Sequence, residues 1–237
     1  MESGQQRQGG NRMDRLQHPL FARAFAKGVA GMDRRGAADH RRRILAGLHG
    51  SVIEIGAGAG SSFALYPPAV SHVLALEPDD YLRGVAQMAA ASASVPVTVV
   101  DAAAEQIPAE NGSADAVVAS LVLCSVKDQA AVLAEIRRVL RPGGTLAFYE
   151  HVRSAHPFLG RTEDVLTPVW GRFMGGCHLN RDTLAAITAA GFTVQDHERF
   201  GFAVQRFNPP IAHILGHATS PGPANSTPKP VGSGSAT

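Results

Sequence analysis

Apolar and polar residues alternate along the middle of the chain in two different periods. Short runs rich in β-branched residues recur at 51–55 (SVIEI), 72–77 (HVLALE) and 95–101 (VPVTVVD). Others lie within 114–126 (ADAVVAS with LVLCSV) and at 145–151 (TLAFYEH). Between them stand segments with apolar residues at helical spacing. In 79–92 these are Leu82, Val85 and Met88–Ala89. In 128–140 they are Val132, Leu133, Ile136, Val139 and Leu140, with Asp128 placed to cap the start and RPGG (141–144) to stop the helix. In 180–191 Asn180 is placed as the cap, Leu184 and Ile187 face inward, and Gly191 ends the helix in the left-handed conformation. Two last strand-like runs, FTVQDHERF and IAHILGHA, flank Pro209–Pro210. This βαβαβ rhythm predicts an α/β fold, a mostly parallel sheet with helices on both faces.

The pattern fades at both ends. Residues 1–14 are polar and glycine-rich and read as a disordered lead without the apolar stretch of a signal peptide. Translation could start at Met1 or at Met13. From Ala218 the chain turns rich in Pro, Ser, Gly and Thr, a composition that buries too little apolar surface to offset its ordering entropy. The expectation is one domain over 15–217 and a disordered tail over 218–237. Residues 152–178 form a looser connection where a substrate lid belongs. Phe158, Trp170, Phe173 and Met174 within it suggest an apolar pocket, or simple packing against the sheet.

Composition narrows the partners. Of the 237 residues 45% are hydrophobic and 18% charged, as in ordinary globular domains. A net charge of +2 is too weak to argue for nucleic acid. Two cysteines cannot build a disulfide framework, and no apolar run is long enough for stable membrane insertion. A cytoplasmic protein is expected. The basic stretch DRRGAADHRRR (33–43) reads as a solvated helix face, although arginines covering a ligand could receive an anionic substrate.

In a sheet of this kind ligands bind beyond the carboxyl ends of the strands. There the chain places Gly56, Gly58 and Gly60, directly after the first strand and entering a helix. Glycines allow a sharp turn and close backbone approach, and helix-start N–H groups favour an anion. A dinucleotide fingerprint would want glycine at position 61, where Ser61 stands, and the lysine of a phosphate-binding P-loop is missing. Glu77 ends the second strand, where a carboxylate can accept both hydroxyls of a ribose. The less favoured reading is a solvated strand-end acid.

The pattern E-x-G-x-G-x-G at 54–60, with an acid ending strand two, resembles the class I S-adenosylmethionine-dependent methyltransferases. VVDAAAEQIP, DAVVASLVLCSV, EIRRVLRPGG, YEHV and GGCHLNRDT are similar to the methyltransferase-like protein 7 branch, which includes thiol S-methyltransferases. They resemble quinone C-methyltransferases and phospholipid N-methyltransferases less closely. The resemblance covers roughly 45–217. It implies a doubly wound Rossmann-like sheet of seven strands with an antiparallel last strand, and S-adenosyl-L-methionine as cofactor. It further implies that Glu54, Gly56, Ala57 and Gly58, with Gly60, line the methionine end. Glu77 and Pro78 would hold the ribose, Ala103 and Ala104 would lie against the adenine, and Ser120 and Leu121 would lie beside the sulfonium. Many relatives carry aspartate where Ala103 stands. Eukaryotic members of the branch begin with an apolar anchoring segment, and residues 1–14 do not resemble one, so membrane residence is not expected to carry over.

Methyl transfer requires alignment of a nucleophile behind the methyl group and exclusion of water. A thiol needs little help to ionise, whereas a hydroxyl or carbon acceptor needs a base. Candidate bases are Glu150, His151 and His178. Glu150 and His151 are adjacent on a strand, so only one should reach the site. Cys124 reads as a small wall residue, because the reaction uses no enzyme nucleophile. No cysteine–histidine group shows the sequence spacing of a zinc site, and no metal is expected. The expected activity is methylation of a small or amphipathic apolar acceptor, first a thiol. The alternatives are O-, N- or C-methylation of a quinone, lipid or secondary metabolite. Less favoured are an NAD-dependent oxidoreductase and an inactive cofactor-binding module.

Overall fold

The computed structural model describes residues 16–203 and 210–222. The lead expected over 1–14, Pro209 and the chain from 223 onward lie outside the described residues. Seven strands form one sheet: β1 Gly50–Ile55, β2 Val70–Leu76, β3 Val97–Val100, β4 Ala114–Ser120, β5 Leu140–His151, β6 Thr193–Phe202 and β7 Ile211–Thr219. Their order is β3-β2-β1-β4-β5-β7-β6. Strands β1 to β5 pair in parallel, and β7 enters antiparallel between β5 and β6. The expected mostly parallel seven-stranded sheet with an antiparallel last strand is therefore observed.

Among the described residues six α-helices accompany the sheet: α1 Pro19–Met32, α2 Ala38–Leu45, α3 Asp80–Ala90, α4 Gln129–Val139, α5 Pro157–Phe173 and α6 Thr183–Ala189. Helix α4 follows from its sequence. The Asp128 side chain accepts the Ala131 N–H at 3.1 Å, and Val132, Leu133, Ile136 and Val139 are all buried. Strand alternation then splits the core. Ile53, Ile55, Val117, Ala119, Leu146 and Phe148 meet α4 and Ile187 of α6 on one face. Val52, Ala116, Val118, Ala147 and Tyr149 meet Ile44 and Leu45 of α2 and Ala86 of α3 on the other. Both faces of the central strands are thus covered, as parallel sheets require.

Several local expectations change. Helix α6 is capped by Asp182, whose side chain accepts the Ala185 N–H at 3.0 Å, and not by Asn180. Met88 is exposed, and Ala86 takes the inward position on α3. The glycine loop leads into turns and the short 3₁₀ segment Phe63–Leu65, not into a helix. The tail expected from Ala218 starts too early. Ala218 is fully buried and pairs with Leu146, and β7 runs through Thr219. The looser stretch 152–178 contains the 17-residue helix α5. The basic stretch 33–43 is not simply a solvated face. It turns sharply at Gly36 (φ 121°), and Arg41 is buried against Asp33.

Candidate active site

A cavity of about 470 Å³ opens at the carboxyl ends of β1, β2, β4 and β5, where the strand order reverses. Its floor is backbone. Gly56 and Gly58 adopt φ of 61° and 57°, conformations that side-chain-bearing residues rarely hold. A Cβ on Gly56 would lie 2.5 Å from Val122, and one on Gly58 would lie 3.2 Å from the Phe25 ring. Space for a ligand therefore depends on both glycines. Gly60 also has positive φ (75°) but packs under Phe63 and Ala89, outside the cavity lining.

Two buried carboxylates flank this floor. Glu77 accepts the Gly58 N–H at 2.7 Å and the Asp79 N–H at 2.9 Å. Burial raises its pKa to about 6, against the pull of those two N–H groups. Each carboxylate oxygen still has a free lone pair for a further donor. Glu54 accepts the Tyr66 hydroxyl at 2.8 Å, and burial raises its pKa to about 7. These are acids held ready for donors, and a ligand with hydroxyls and an ammonium group supplies them. Pro78, Ala57, Ala103, Ala104, Ser120 and Leu121 complete the lining of this half. The chain thus brings ten of the eleven expected cofactor residues to one cavity, and Gly60 supports the loop from beneath.

Leu121 carries a left-handed backbone, φ 59°. It is the one non-glycine residue with positive φ among the described residues, at a cost of about 1–2 kcal/mol. Glu150 accounts for it. Its carboxylate accepts the N–H groups of Val122 (3.0 Å), Leu123 (2.8 Å) and Cys124 (3.1 Å), curling the chain directly after β4. Glu150 is fully buried and outside the cavity lining, and burial holds its pKa well above the usual carboxylate range. His151 is also outside the lining, with Nδ1 3.1 Å from the Cys177 sulfur. Of the three candidate bases only His178 lines the cavity. Cys124 is buried behind the wall, 1% exposed, and neighbouring Cys177 together with burial pushes its thiol far above the ordinary range. It forms no part of the cavity lining.

The second half of the cavity was not foreseen. Helix α1 lies over the glycine loop, tied down where Gln17 donates to the Pro78 carbonyl at 2.8 Å and the His18 N–H donates to Asp79 at 3.1 Å. It contributes Phe21, Phe25 and Met32. Arg41, Tyr149, Phe202 and His213 close the far side. The Tyr149 hydroxyl lies 3.3 Å from His40 Nδ1, and its ring stacks on His213 at 5.4 Å. Burial pulls His213 down to about 3, so it is neutral at physiological pH. Arg41 Nε, His178 Nδ1 and His213 Nε2 are buried without hydrogen-bond partners. By contrast, the aromatics of 152–178 do not line the cavity. Phe158 and Phe173 are exposed, and Trp170 packs on the two cysteines. Only Gly175, Gly176 and His178 of that stretch reach it.

Comparison with known proteins agrees with this geometry. Residues 53–148 match the family described as "Methyltransferase domain". The human thiol S-methyltransferase TMT1B is 34% identical over 180 residues, 73% of either chain. Human thiol S-methyltransferase TMT1A is 35% identical over 147 residues, and the match spans 60% of each chain. A solved S-adenosylmethionine-dependent methyltransferase from Methanosarcina mazei superposes with a TM-score of 0.58 at 20% identity, over 73% of this chain and 93% of that one. It shows the shared fold. Among the described residues no helix is long and apolar enough to cross a membrane. The chain belongs to the class I S-adenosylmethionine-dependent methyltransferases, in the branch of the thiol S-methyltransferases.

Proposed function

We propose that the protein transfers the methyl group of S-adenosylmethionine to the sulfur of a small, largely apolar thiol. The observation that carries this reading is the make-up of the acceptor half of the cavity, where Arg41, Tyr149, His178 and His213 are the polar side chains, while the carboxylates Glu54 and Glu77 stand in the cofactor half. Glu150 and His151, which would serve an alcohol or a carbon acid, lie behind its wall. His213 is held neutral with a pKa near 3, too weak a base for a hydroxyl. A thiol has a useful thiolate fraction near neutral pH without such help. Arg41, ion-paired with Asp33, keeps an unpartnered Nε as a donor at the cavity. Relatedness to two human thiol S-methyltransferases points the same way.

In this reading the 54–60 loop and Glu54 hold the methionine end, and Glu77 accepts the ribose hydroxyls. Ala103–Ala104 lie against the adenine. Leu121 borders the sulfonium, which supplies an activated methyl group. Phe21, Phe25, Met32 and Phe202 bind the acceptor's apolar body and exclude water. His178 is placed to take a proton, directly or through water. Turnover of methyl-labelled cofactor against matched panels of alkyl thiols, phenols, quinols and amines tests this. Label should appear in thioethers. Methylated phenols or quinols with untouched thiols would overturn the thiol assignment.

A further inference from the structure

Three side chains far apart in sequence meet behind the cavity wall: Cys124 after β4, His151 at the end of β5, and Cys177 after α5. The two sulfurs are 3.7 Å apart. His151 Nδ1 lies 3.1 Å from Cys177 Sγ and 4.0 Å from Cys124 Sγ. Trp170, Leu179 and Ile211 pack around the cysteines, which are 1% and 6% exposed. Tetrahedral zinc, with Zn–S of about 2.3 Å and Zn–N of about 2.0–2.1 Å, sets its sulfurs about 3.8 Å apart and each sulfur about 3.6 Å from the nitrogen. The observed triangle has nearly that sulfur–sulfur edge, and its two nitrogen edges straddle the second value. A small turn of the imidazole equalises them.

From this geometry we infer that Cys124, His151 and Cys177 form a binding site for zinc, a soft-ligand Cys₂His set behind the wall of the reaction cavity. Two thiolates neutralise a divalent cation, so the bound group carries no net charge into a buried region. None of the three ligands lines the cavity, so the ion does not touch substrate. Its effect is mechanical. It fastens the 121–126 turn to the 175–178 loop, already joined by the His178 N–H donating to the Cys124 carbonyl at 2.9 Å. Leu121, Val122, Ser125 and Val126 on one side, and Gly175, Gly176 and His178 on the other, then hold fixed positions around the acceptor.

The test is anaerobic titration of the reduced full-length protein with Co(II), then with Zn(II). One equivalent of cobalt should produce a thiolate-to-cobalt charge-transfer band that zinc abolishes. Saturating zinc should raise the melting temperature by roughly 10 °C. His151→Ala and Cys177→Ser should weaken cobalt binding by about 100-fold or more. No charge-transfer band together with no thermal shift in the wild-type protein overturns the inference, whether or not the variants fold. So does recovery of the native protein with the two sulfurs joined as a disulfide. The readout is optical and thermal, so it stands apart from which acceptor is methylated.

Discussion

Replacing Glu77 by glutamine should move stability and cofactor affinity independently. In the ligand-free protein the carboxyl sits at about 6, against 4.5 for an unconstrained glutamate, because burial penalises its charge. A carboxyl raised in this way stabilises the fold in its neutral form below about pH 4.5, and that contribution is lost as pH rises to 6. Above pH 6 the ionised group therefore costs the fold about 2 kcal/mol. Glutamine removes that cost but can keep only one of the two N–H partners, Gly58 or Asp79. The orphaned N–H costs about 1–2 kcal/mol. The two terms nearly cancel, so the melting temperature at pH 7.5 should stay within a few degrees of wild type. Cofactor binding has no such compensation. Two ribose hydroxyls lose a charged acceptor, worth about 3 kcal/mol together, or about 100-fold in Kd. Calorimetric titration with S-adenosylmethionine and S-adenosylhomocysteine, beside thermal melts, measures both quantities. An affinity within threefold of wild type in a folded variant would refute the ribose assignment.

Wild-type affinity should itself fall with acid: between pH 7.5 and 5, protonation of Glu77 weakens binding about tenfold and Glu54, at about 7, adds to it. A flat calorimetric profile over that range would mean that neither carboxylate contacts the cofactor as an anion. Gly56→Ala should lower the melting temperature by about 10 °C and abolish binding, since φ 61° and a Cβ 2.5 Å from Val122 act together. Unchanged melting would show that the loop yields easily. Glu150→Gln should cost about 1–3 kcal/mol by orphaning an amide among Val122–Cys124 and should weaken the cofactor, while the pH profile of kcat keeps its shape. Loss of one limb of that profile at normal stability would instead place Glu150 in proton transfer.

What could be read from the chain beforehand was what is local in it. Gly56, Gly58 and Glu77 lie within one strand–loop–strand unit, so their spacing could be read directly. Parity along β5 was expected to bring Glu150 or His151 to the site, yet neither lines the cavity; Tyr149 does, with its ring stacked on His213. Apolar and aromatic composition near 158–174 suggested a pocket lining, yet the cover comes from α1, whose Phe21 and Phe25 carry no distinguishing spacing. Arg41, Phe202 and His213 reach the cavity from three further elements. The Cys124–His151–Cys177 group is equally non-local. Its members stand 27 and 26 residues apart, so no short motif exists to detect. A left-handed Leu121 has no sequence signature either, because Glu150, from another strand, bends the chain there.

The antiparallel entry of β7 between β5 and β6 has a consequence for biogenesis. Until residues 211–219 leave the ribosome, Thr145–His151 of β5 present an unpaired edge beside Leu146 and Phe148. Strand β6 meanwhile has no sheet partner, since β7 is the one it pairs with. Such an edge invites association with other nascent chains. The late strand also delivers His213 to the cavity, so the pocket is finished by the same event that closes the sheet. Acceptor binding by a newly made chain would then report that synthesis has passed Thr219 and that the exposed edge is gone.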